Sequence, residues 1–462
     1  MQFYNTMSRK KETFTPVRKG LVGVYACGIT AYALSHIGHA RSAVAFDILV
    51  RLLRYKGYEV TFVRNFTDVD DKIIKRANDE GVSSTEIAET YIKAYHEDMD
   101  RLGVIRADIE PRATEHIQEM LNLTERLIAD GKAYATPSGD VYFRVRSFPG
   151  YGKLSGQSID DLESGARIEP GDLKRDPLDF ALWKGAKPGE PAWDCPWGKG
   201  RPGWHIECSA MSMELLGPTF DIHAGGQDLI FPHHENEIAQ SEAATGKPFA
   251  RYWMHNGYIN VDNQKMSKSL GNFRLVRDIA QEFDLEAVRL FLLSAQYRNP
   301  INFTRELIEQ ANTALTRIRT ARERLAEAKE GPATAEDESF IASLAEHEKR
   351  FCDAMDDDLN TADALGAMFD YARAVNTFVT EPRSREALDR AAKLFDDMTN
   401  VLGILQHSKS EEFPKEAVAL LNERAEARKA RNWARADQIR EELKAMGFAV
   451  EDSKEGAKLK RL

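Results

Sequence analysis

Two polar stretches of this chain have residue types that suit the binding of a nucleoside triphosphate. They are His36-Ile37-Gly38-His39 and Lys265-Met266-Ser267-Lys268-Ser269. The first stretch begins a helical pattern, and a helix N-terminus offers free N–H groups and a partial positive charge to phosphates. Gly38 has no side chain, so a nucleotide could approach the backbone closely there. The two lysines would bring mobile positive charge to the phosphates, which helps most as pyrophosphate leaves.

Four side chains from separate parts of the chain could together bind a metal ion. They are Cys27, Cys208, His233 and Glu237. Two thiolates, an imidazole and a carboxylate suit Zn(II). Spacing alone does not select these four, because Cys195 is an alternative to Cys208 and His234 is an alternative to His233.

The elements that would position these residues follow from hydrophobic patterning. The apolar run 21–26 predicts a buried strand, 36–56 predicts a helix, and 58–65 predicts a second strand. Such a β-α-β unit indicates a parallel sheet with a right-handed crossover. Further along, Pro232 is a favourable first helical residue, and the i, i+4 spacing after it would place His233 and Glu237 on one helix face.

The content of Gly and Pro and the hydrophobic periodicity change along the chain, and these changes predict its domains. A segment rich in Gly and Pro turns, 111–203, indicates an insertion that splits a core formed by 1–110 and 204–304. The pattern is helical from about residue 305 to the end. We expect a helical bundle at 305–407 and a small C-terminal domain at 408–462.

Composition restricts the class of protein. The chain has 462 residues, a net charge of −10, 42% hydrophobic and 29% charged residues, and four cysteines. These values fit a globular protein of several domains without a disulfide framework, working in a reducing cytoplasm. No long apolar run or basic-apolar leader predicts a membrane span or secretion. The acidic balance argues against a general nucleic-acid coat protein, but 421–462 has 11 Lys and Arg against 8 Asp and Glu, which leaves room for a local RNA contact.

Seven short stretches occur in an order that resembles the cysteinyl-tRNA synthetases, a family of class I aminoacyl-tRNA synthetases. The stretches are 27–30, 36–39, 65–72, 203–208, 221–226, 231–237 and 265–269. The resemblance covers nearly the whole chain and is strongest over 20–275. It implies an α/β fold, with a doubly wound parallel-sheet (Rossmann-type) catalytic core, an insertion, and all-α C-terminal domains.

The resemblance also implies roles for particular residues. Zinc, one Zn(II) per chain, would be held by Cys27, Cys208, His233 and Glu237, which favours Cys208 over Cys195 and His233 over His234. The substrate thiolate would join this metal, so that cysteine is distinguished from serine by coordination and no editing domain is needed. The residues implied for catalysis are His36, His39, Lys265 and Lys268, with Gly38 and Ser267 also binding ATP.

The activity implied is that of a cysteine–tRNA ligase, which forms cysteinyl-adenylate from L-cysteine and ATP with Mg(II) and transfers cysteine to the 3′ end of tRNA(Cys). Thr67, Trp204 and Asp228 match positions near the amino acid. The positions matching the anticodon-contacting segment are Trp433, Asp437, Arg440 and Asp452. The resemblance further implies a cytoplasmic monomer.

The sequence departs from the family pattern at two places. Ala33 stands where an acidic residue is usual, and the chain ends in Leu462 without the aromatic residue that is common there. Two other functions also remain open. One is an ATP-dependent ligase of the mycothiol-synthesis type, which transfers cysteine to a small amine. The other is a zinc-stabilised RNA-binding protein without catalysis. A methionine-specific synthetase would have no reason for this set of metal ligands.

Overall fold

The structure is a computed structural model that describes residues 1–159, 173–266, 272–406, 415–430, 432–453 and 456–461. The chain forms two compact units, Met1–Gln406 and His407–Leu462. Within the described residues, no helix combines the length and the apolar character that crossing a membrane requires.

Strands and helices are numbered along the chain. The strands are β1 Gln2–Asn5, β2 Lys10–Thr13, β3 Leu21–Thr30, β4 Glu59–Thr67, β5 Ala133–Ala135, β6 Val141–Phe143, β7 Phe180–Gly185, β8 Trp193–Cys195, β9 Gly198–Pro202, β10 Phe220–Gly226, β11 Ala250–Asn256, β12 Ile259–Val261, β13 Gln264–Lys265, β14 Ile301–Phe303, β15 Phe448–Ser453 and β16 Gly456–Arg461. The helices are α1 Ile37–Tyr55, α2 Asp71–Glu80, α3 Ser84–Arg101, α4 Ile117–Ala129, α5 Trp204–Leu216, α6 Glu235–Thr245, α7 Val276–Glu282, α8 Leu285–Leu293, α9 Arg305–Ala326, α10 Ala335–Asp356, α11 Thr361–Phe378, α12 Arg385–Leu402, α13 Lys415–Lys429 and α14 Trp433–Ala445.

A four-stranded parallel sheet forms the centre of the first unit, in the order β11-β10-β3-β4. The two central strands are β10 and β3. From β3 the chain passes through α1 to β4 at one edge of the sheet, and from β10 it passes through α6 to β11 at the other edge. The order therefore reverses between β3 and β10, and ligands of such sheets bind outside the carboxyl ends of the strands at this reversal. The predicted β-α-β unit is confirmed, with each end shifted by a few residues at most.

The carboxyl end of β3 is irregular, and this irregularity positions Cys27. The register of β3 against β4 shifts between Ala26 and Ile29. A Cβ atom on Gly28 would lie 1.5 Å from the carbonyl oxygen of Asn65, so only glycine fits there. The strand can therefore approach β4 closely while Cys27 leaves the regular ladder.

The segment between the two halves of the core folds around its own antiparallel sheet, in the order β5-β6-β7-β9-β8. Helix α4 precedes that sheet, and a short 3-10 turn, Ala113–Glu115, leads into it. Asp71 at the start of α2 contacts Arg201 and accepts from Lys184 at 2.6 Å, which ties the sheet to the core.

Helices α9 to α12 pack as a bundle after the core. In α9, the buried residues recur at the spacing of one helix face, namely Ile308, Ala311, Leu315 and Ile318. A fully buried ion pair between Arg289 of α8 and Asp47 of α1 lies where α8 meets the core. Asp47 also accepts from Arg51 at 2.9 Å and from the backbone of Ile105 at 2.9 Å.

The second unit contains α13, α14 and the antiparallel pair β15–β16. The helical pattern predicted from residue 305 onward is confirmed as far as α14, but its extension to the end of the chain is wrong. Gly447 has φ +85°, a left-handed conformation that ends the helix. Phe448 and Val450 then alternate into a small apolar cluster with Ile439 and Leu443 of α14, which is the pattern of a strand.

Candidate functional site

Four short segments meet at the carboxyl ends of β3 and β10 and form a buried group of possible metal ligands. Cys27 comes from β3, Cys208 from α5, His233 from the turn Ile230–His234, and Glu237 from the first turn of α6. Pro232 does not begin an α-helix as expected, because Phe231 is extended (φ −139°) and the regular helix starts at Glu235.

The ligand atoms of this group lie close enough to share one ion. The sulfur atoms of Cys27 and Cys208 are 3.9 Å apart, and Cys27 Sγ is 3.8 Å from Glu237 Oε1. His233 Nε2 is 3.1 Å from the same carboxylate oxygen. These four candidate atoms all lie within 4.8 Å of one another. Cys195 lies elsewhere, at the end of β8, and its sulfur contacts the carbonyl of Gly198 at 2.6 Å.

A second combination of side chains also converges here, so distance alone does not choose between the two histidines. It consists of Cys27, His223, His234 and Glu237. His234 Nε2 lies 3.3 Å from Cys27 Sγ, while its Nδ1 lies 2.8 Å from His255 Nε2.

Hydrogen bonds on the outer atoms suit the first combination, although His255 orients His234 in the same way that His205 orients His233. Glu237 turns Oε2 to His223 Nε2 at 2.8 Å and leaves Oε1 facing the thiols and His233. His233 turns Nδ1 to His205 Nδ1 at 3.0 Å and leaves Nε2 facing the centre. Metal-binding carboxylates and imidazoles are commonly oriented in this way by partners on their outer atoms.

Burial makes the group suited to a cation. It raises the pKa of Glu237 well above its usual range, and it lowers the pKa of His233 and His234 well below theirs. Burial, with the neighbouring Cys208, also raises the pKa of Cys27. A divalent ion among these atoms would reverse this preference and favour the thiolate and carboxylate forms, because ligand atoms bind metals deprotonated. The sulfur, nitrogen and oxygen donors present therefore fit Zn(II).

Sequence reasoning missed three histidines that surround the group: His205, His223 and His255. His205 and His223 lie inside stretches already recognised as motif-like, 203–208 and 221–226, but nothing in their spacing indicated that they face a shared centre. His255 forms hydrogen bonds with both His234 and Thr6, at 2.8 Å each.

A cleft of about 770 Å³ joins the metal group to the first polar stretch. Its walls include Cys27, Trp204, Asp228, His36 and His39. The Trp204 ring stacks on His233 with centroids 4.3 Å apart and remains 39% exposed, so it can form a wall beside the metal group. Asp228 is the acidic side chain on this wall.

Thr67, the other residue expected near the amino acid, lies at the end of β4. It is buried, and its hydroxyl donates to Glu207 Oε2 at 2.6 Å. Its hydroxyl is thus bonded to another side chain of the protein. Thr67 would therefore act on the site indirectly, by fixing the position of α5, which carries Glu207.

The first polar stretch adopts a geometry that fixes the protons of its two histidines. His36 caps α1, with Nδ1 accepting from the backbone of Gly38 at 3.1 Å. His39 Nδ1 accepts from the backbone of His36 at 3.3 Å, and the two rings stack 3.7 Å apart. Because each neutral imidazole accepts at Nδ1, the proton is carried on Nε2. Both rings are therefore donors, as phosphate oxygens require.

Part of the second polar stretch lies outside the described residues, and the residues on either side of that gap border the cleft. Ser267 and Lys268 belong to those residues, and for Lys265 only the backbone, in β13, is described. Met266 and Phe273, which flank them, both line the cleft, and the Phe273 ring lies edge-on to His36 at 4.5 Å. A Cβ on Gly38 would lie 2.9 Å from the His36 ring and 3.3 Å from Met266.

In the second unit, Trp433, Asp437 and Arg440 follow one another at helical spacing on the exposed face of α14. Trp433 is 58% exposed, which is unusual for so large a ring. Asp452 lies in β15, and its side chain falls outside the described residues.

Comparison with known proteins covers almost the whole chain. Residues 13–313 match the family described as the class I (C) tRNA synthetase catalytic domain, 350–406 match the DALR domain, and 410–458 match the cysteinyl-tRNA ligase anticodon binding domain.

The chain is 56% identical to a cysteine–tRNA ligase of Nitratidesulfovibrio vulgaris strain DP4, covering 99% of each chain. It is 53% identical to that of Caldicellulosiruptor saccharolyticus, covering 100% of each. Among solved structures it resembles the Mycobacterium tuberculosis methionyl-tRNA synthetase with methionyl-adenylate, with a TM-score of 0.58 at 18% identity, over 83% of this chain and 89% of that one. At this identity the likeness shows the fold alone, which is that of a class I synthetase.

Proposed function

The chain belongs to the cysteine–tRNA ligases, and from this premise we propose how its residues join L-cysteine to the 3′ end of tRNA(Cys). The observation that carries the proposal is that Cys27, one of the four clustered ligands, lines the same cleft as His36 and His39. A site suited to a thiol and a site suited to phosphates are thereby adjacent, as activation of cysteine requires.

Selection of cysteine rests on the buried group. Cys27, Cys208, His233 and Glu237 would hold one Zn(II), which when bound lowers the pKa of the substrate thiol and binds sulfur in preference to a hydroxyl. His223 and His205 orient the outer atoms of Glu237 and His233. Trp204 bounds the pocket, and Asp228 on the same wall would accept hydrogen bonds from the substrate ammonium.

Activation of cysteine rests on the phosphate-binding end of the cleft. The substrate carboxylate attacks the α-phosphate of ATP, which arrives with Mg(II), and pyrophosphate leaves. His36 and His39 donate from Nε2 to the phosphates, and Gly38 admits the nucleotide close to α1. We assign Lys265, Ser267 and Lys268 to the leaving pyrophosphate. Positioning and charge, rather than a general base, then lower the barrier.

Transfer to tRNA completes the reaction when a ribose hydroxyl at the 3′ end attacks the carbonyl carbon of the adenylate, the bond to the phosphate breaks, and AMP leaves. We assign the catalytic core to 1–110 and 204–304, the insertion to 111–203, the stem-contacting bundle to 305–407 and the anticodon domain to 408–462. Trp433, Asp437, Arg440 and Asp452 would contact the anticodon, with Trp433 stacking on an exposed base. We further propose that the protein works as a monomer, on family resemblance, and in the cytoplasm, where its thiols stay reduced.

The rival function, transfer of cysteine to a small amine, is not favoured. It would leave a domain that matches the cysteinyl-tRNA ligase anticodon binding family without a purpose. The rival without catalysis is likewise not favoured, because His36 and His39 are oriented as phosphate donors.

Transfer of labelled cysteine to total tRNA, with ATP and Mg(II), tests the proposal. We expect base-labile, acid-precipitable label with cysteine and none with serine. Cysteine-dependent ATP–pyrophosphate exchange without charging would point instead to the small-amine ligase. Absence of both would reject activation of cysteine altogether.

A further inference from the structure

The stretch Asp68-Val69-Asp70-Asp71-Lys72 lies between β4 and α2, and its lysine has no part in the activation of cysteine described above. Three carboxylates stand within four residues of Lys72, and a sequence with this spacing suggests a lysine neutralised by its neighbours. The structure shows a different arrangement.

Each of the three carboxylates has another partner. Asp68 accepts from the backbone of Thr114 at 3.0 Å and from its hydroxyl at 2.5 Å. Asp70 caps α2 by accepting from the backbone N–H of Lys72 at 2.9 Å. Asp71 faces the insertion, where it contacts Lys184 and Arg201. The acids therefore hold the segment in place and leave the ammonium group of Lys72 uncompensated.

The Lys72 side chain is directed to the cleft. It lines the cleft, and its ammonium lies 5.4 Å from the centre of the Tyr32 ring. Within the part of the chain that the structure describes, no carboxylate lies within salt-bridge distance of it.

A second cation supports the same region of the cleft. Arg64 of β4 also lines the cleft, is only 4% exposed, and donates to the Tyr95 hydroxyl at 3.1 Å. No carboxylate among the described residues pairs with Arg64 either. A buried guanidinium without a counterion is costly, so its presence in the same cleft as Lys72 points to an anionic ligand. The neighbouring Arg76 lies over the Tyr91 ring at 4.7 Å but is already paired with Glu80 at 2.6 Å.

The position in the sheet distinguishes this anion from the triphosphate. Lys72 follows β4, which is one edge of the parallel sheet, whereas the second ATP stretch begins in β13, part of a separate sheet that the chain enters after β11, the opposite edge. The metal group and His36 lie near the reversal between them. Besides the triphosphate and the carboxylate of cysteine, the anion that must enter this cleft is the unpaired 3′ end of the tRNA.

We propose that Lys72, supported by Arg64, binds a phosphodiester near the 3′ end of the tRNA and positions its terminal ribose for transfer. This inference rests on the proposed function, because it assigns a residue to the second step of that reaction. Lys72 acts in transfer and has no role in adenylate formation.

The test compares Lys72→Met, which keeps the length of the side chain and removes its charge, with Lys75→Met as the matched control. Lys75 lies on the same helix, is exposed, and pairs with Asp79 at 2.6 Å. For Lys72→Met we expect ATP–pyrophosphate exchange within about twofold of wild type and transfer from preformed adenylate, in a single turnover, slower by roughly tenfold. Lys72→Arg should recover most of the loss, and Lys75→Met should change neither step.

Salt dependence and a shortened tRNA show whether a phosphate is the partner. Loss of one contact to single-stranded RNA should reduce the slope of log affinity against log salt by about 0.7. The affinity difference between wild type and Lys72→Met should disappear for tRNA lacking its last three nucleotides.

Two results would overturn the assignment. If Lys72→Met slowed pyrophosphate exchange and transfer equally, Lys72 would bind ATP instead. If Lys72→Met left the transfer rate unchanged, Lys72 would have no role in transfer. If wild type itself shows cysteine-dependent exchange but charges no tRNA, the proposed function fails before Lys72 is reached. The two failures are therefore distinguishable.

Discussion

Glu237 shows how single atoms decide what the site can bind. One oxygen faces the thiols and His233, and the other faces His223 at 2.8 Å. Burial lowers the pKa of His223 to about 3, so this histidine remains neutral at physiological pH. The result is a carboxylate with a fixed orientation and no cationic partner, which is the state that a metal ion stabilises most.

The chain contains a matched pair of cysteines for testing this site. Cys208→Ser removes one of the two clustered thiols, whereas Cys195→Ser changes a thiol in β8 of the insertion. Loss of an outer partner of a metal ligand typically costs 10–100-fold, so loss of a ligand should lower cysteine-dependent pyrophosphate exchange by about a hundredfold or more. Elemental analysis should find about one zinc in wild type and Cys195→Ser, and much less in Cys208→Ser.

The same assays separate the two histidines. We expect His233→Ala to lose metal and His234→Ala to retain it, because the family resemblance implies His233 as the ligand and its Nε2 lies 3.1 Å from Glu237 Oε1, compared with 3.9 Å for His234 Nε2. The reverse result would favour the combination of Cys27, His223, His234 and Glu237. Full zinc content and exchange in both Cys208→Ser and His233→Ala would remove the proposed ligand set.

The role of a residue could be predicted from the sequence only where that residue lies in a recognisable motif. The stretches singled out Cys27 and Cys208, and the structure brings these two together. His255 had no such signal, because a histidine within an apolar strand looks the same whether it packs in a core or orients a neighbour. Its partner His234 appeared in the sequence only as an alternative ligand.

At the scale of elements, α1 links the cleft to the packing of α8 against the core. Its N-terminus holds His36 and His39 in the cleft, and Asp47 near its middle pairs with Arg289 of α8 in complete burial. The position of His36 and His39, which we propose as phosphate donors, thus depends on an ion pair more than a turn away along the same helix.

Breaking this ion pair should destabilise the first unit. Asp47→Asn leaves the Arg289 guanidinium buried without a countercharge, which costs about 3 kcal/mol and should lower the main thermal unfolding midpoint by several degrees. Asp79→Asn is the control, because the Lys75–Asp79 pair is 75% and 61% exposed and should contribute less than about 1 kcal/mol. Equal midpoints for the two variants by calorimetry would contradict the importance of the buried pair.

Elements with strong periodicity were predictable, and those set by local backbone conformation were not. The predicted helix at 36–56 is observed at Ile37–Tyr55. The late start of α6, after the extended Phe231, and the turn at Gly447 depend on the conformation of one residue each, and hydrophobic spacing does not report such conformations. The hairpin β15–β16 was missed for this reason.

At the scale of the whole molecule, the chain forms two compact units, to which the proposed function gives separate tasks. The first contains the cleft, and the second presents Trp433 on an exposed helix face. The sequence predicted a domain boundary at 407/408, and the two compact units divide between Gln406 and His407. Its hydrophobic pattern also predicted a parallel β-α-β unit, but it did not predict the order of the four core strands.

Substitution of Trp433 should separate tRNA binding from activation of cysteine. Stacking of a base on an aromatic ring contributes about 1–3 kcal/mol, so Trp433→Ala should raise KM for tRNA by roughly tenfold or more and leave pyrophosphate exchange unchanged. Met446→Ala, another exposed apolar residue at the end of α14, should leave both values near wild type. An unchanged KM for Trp433→Ala, measured by charging at varied tRNA concentration, would exclude a stacking role.

The two sulfur atoms that lie 3.9 Å apart are separated by 181 positions in the chain, and the whole insertion lies between them. An ion that bridges them closes a ring of that size, and for a disulfide the corresponding restriction of the unfolded chain is about 5 kcal/mol. A zinc ion held by both cysteines, as we propose, would therefore also hold the two halves of the interrupted core together. In cells starved of zinc, the first effect would then be a shorter lifetime of the newly made protein. Charging of tRNA with serine would appear only later.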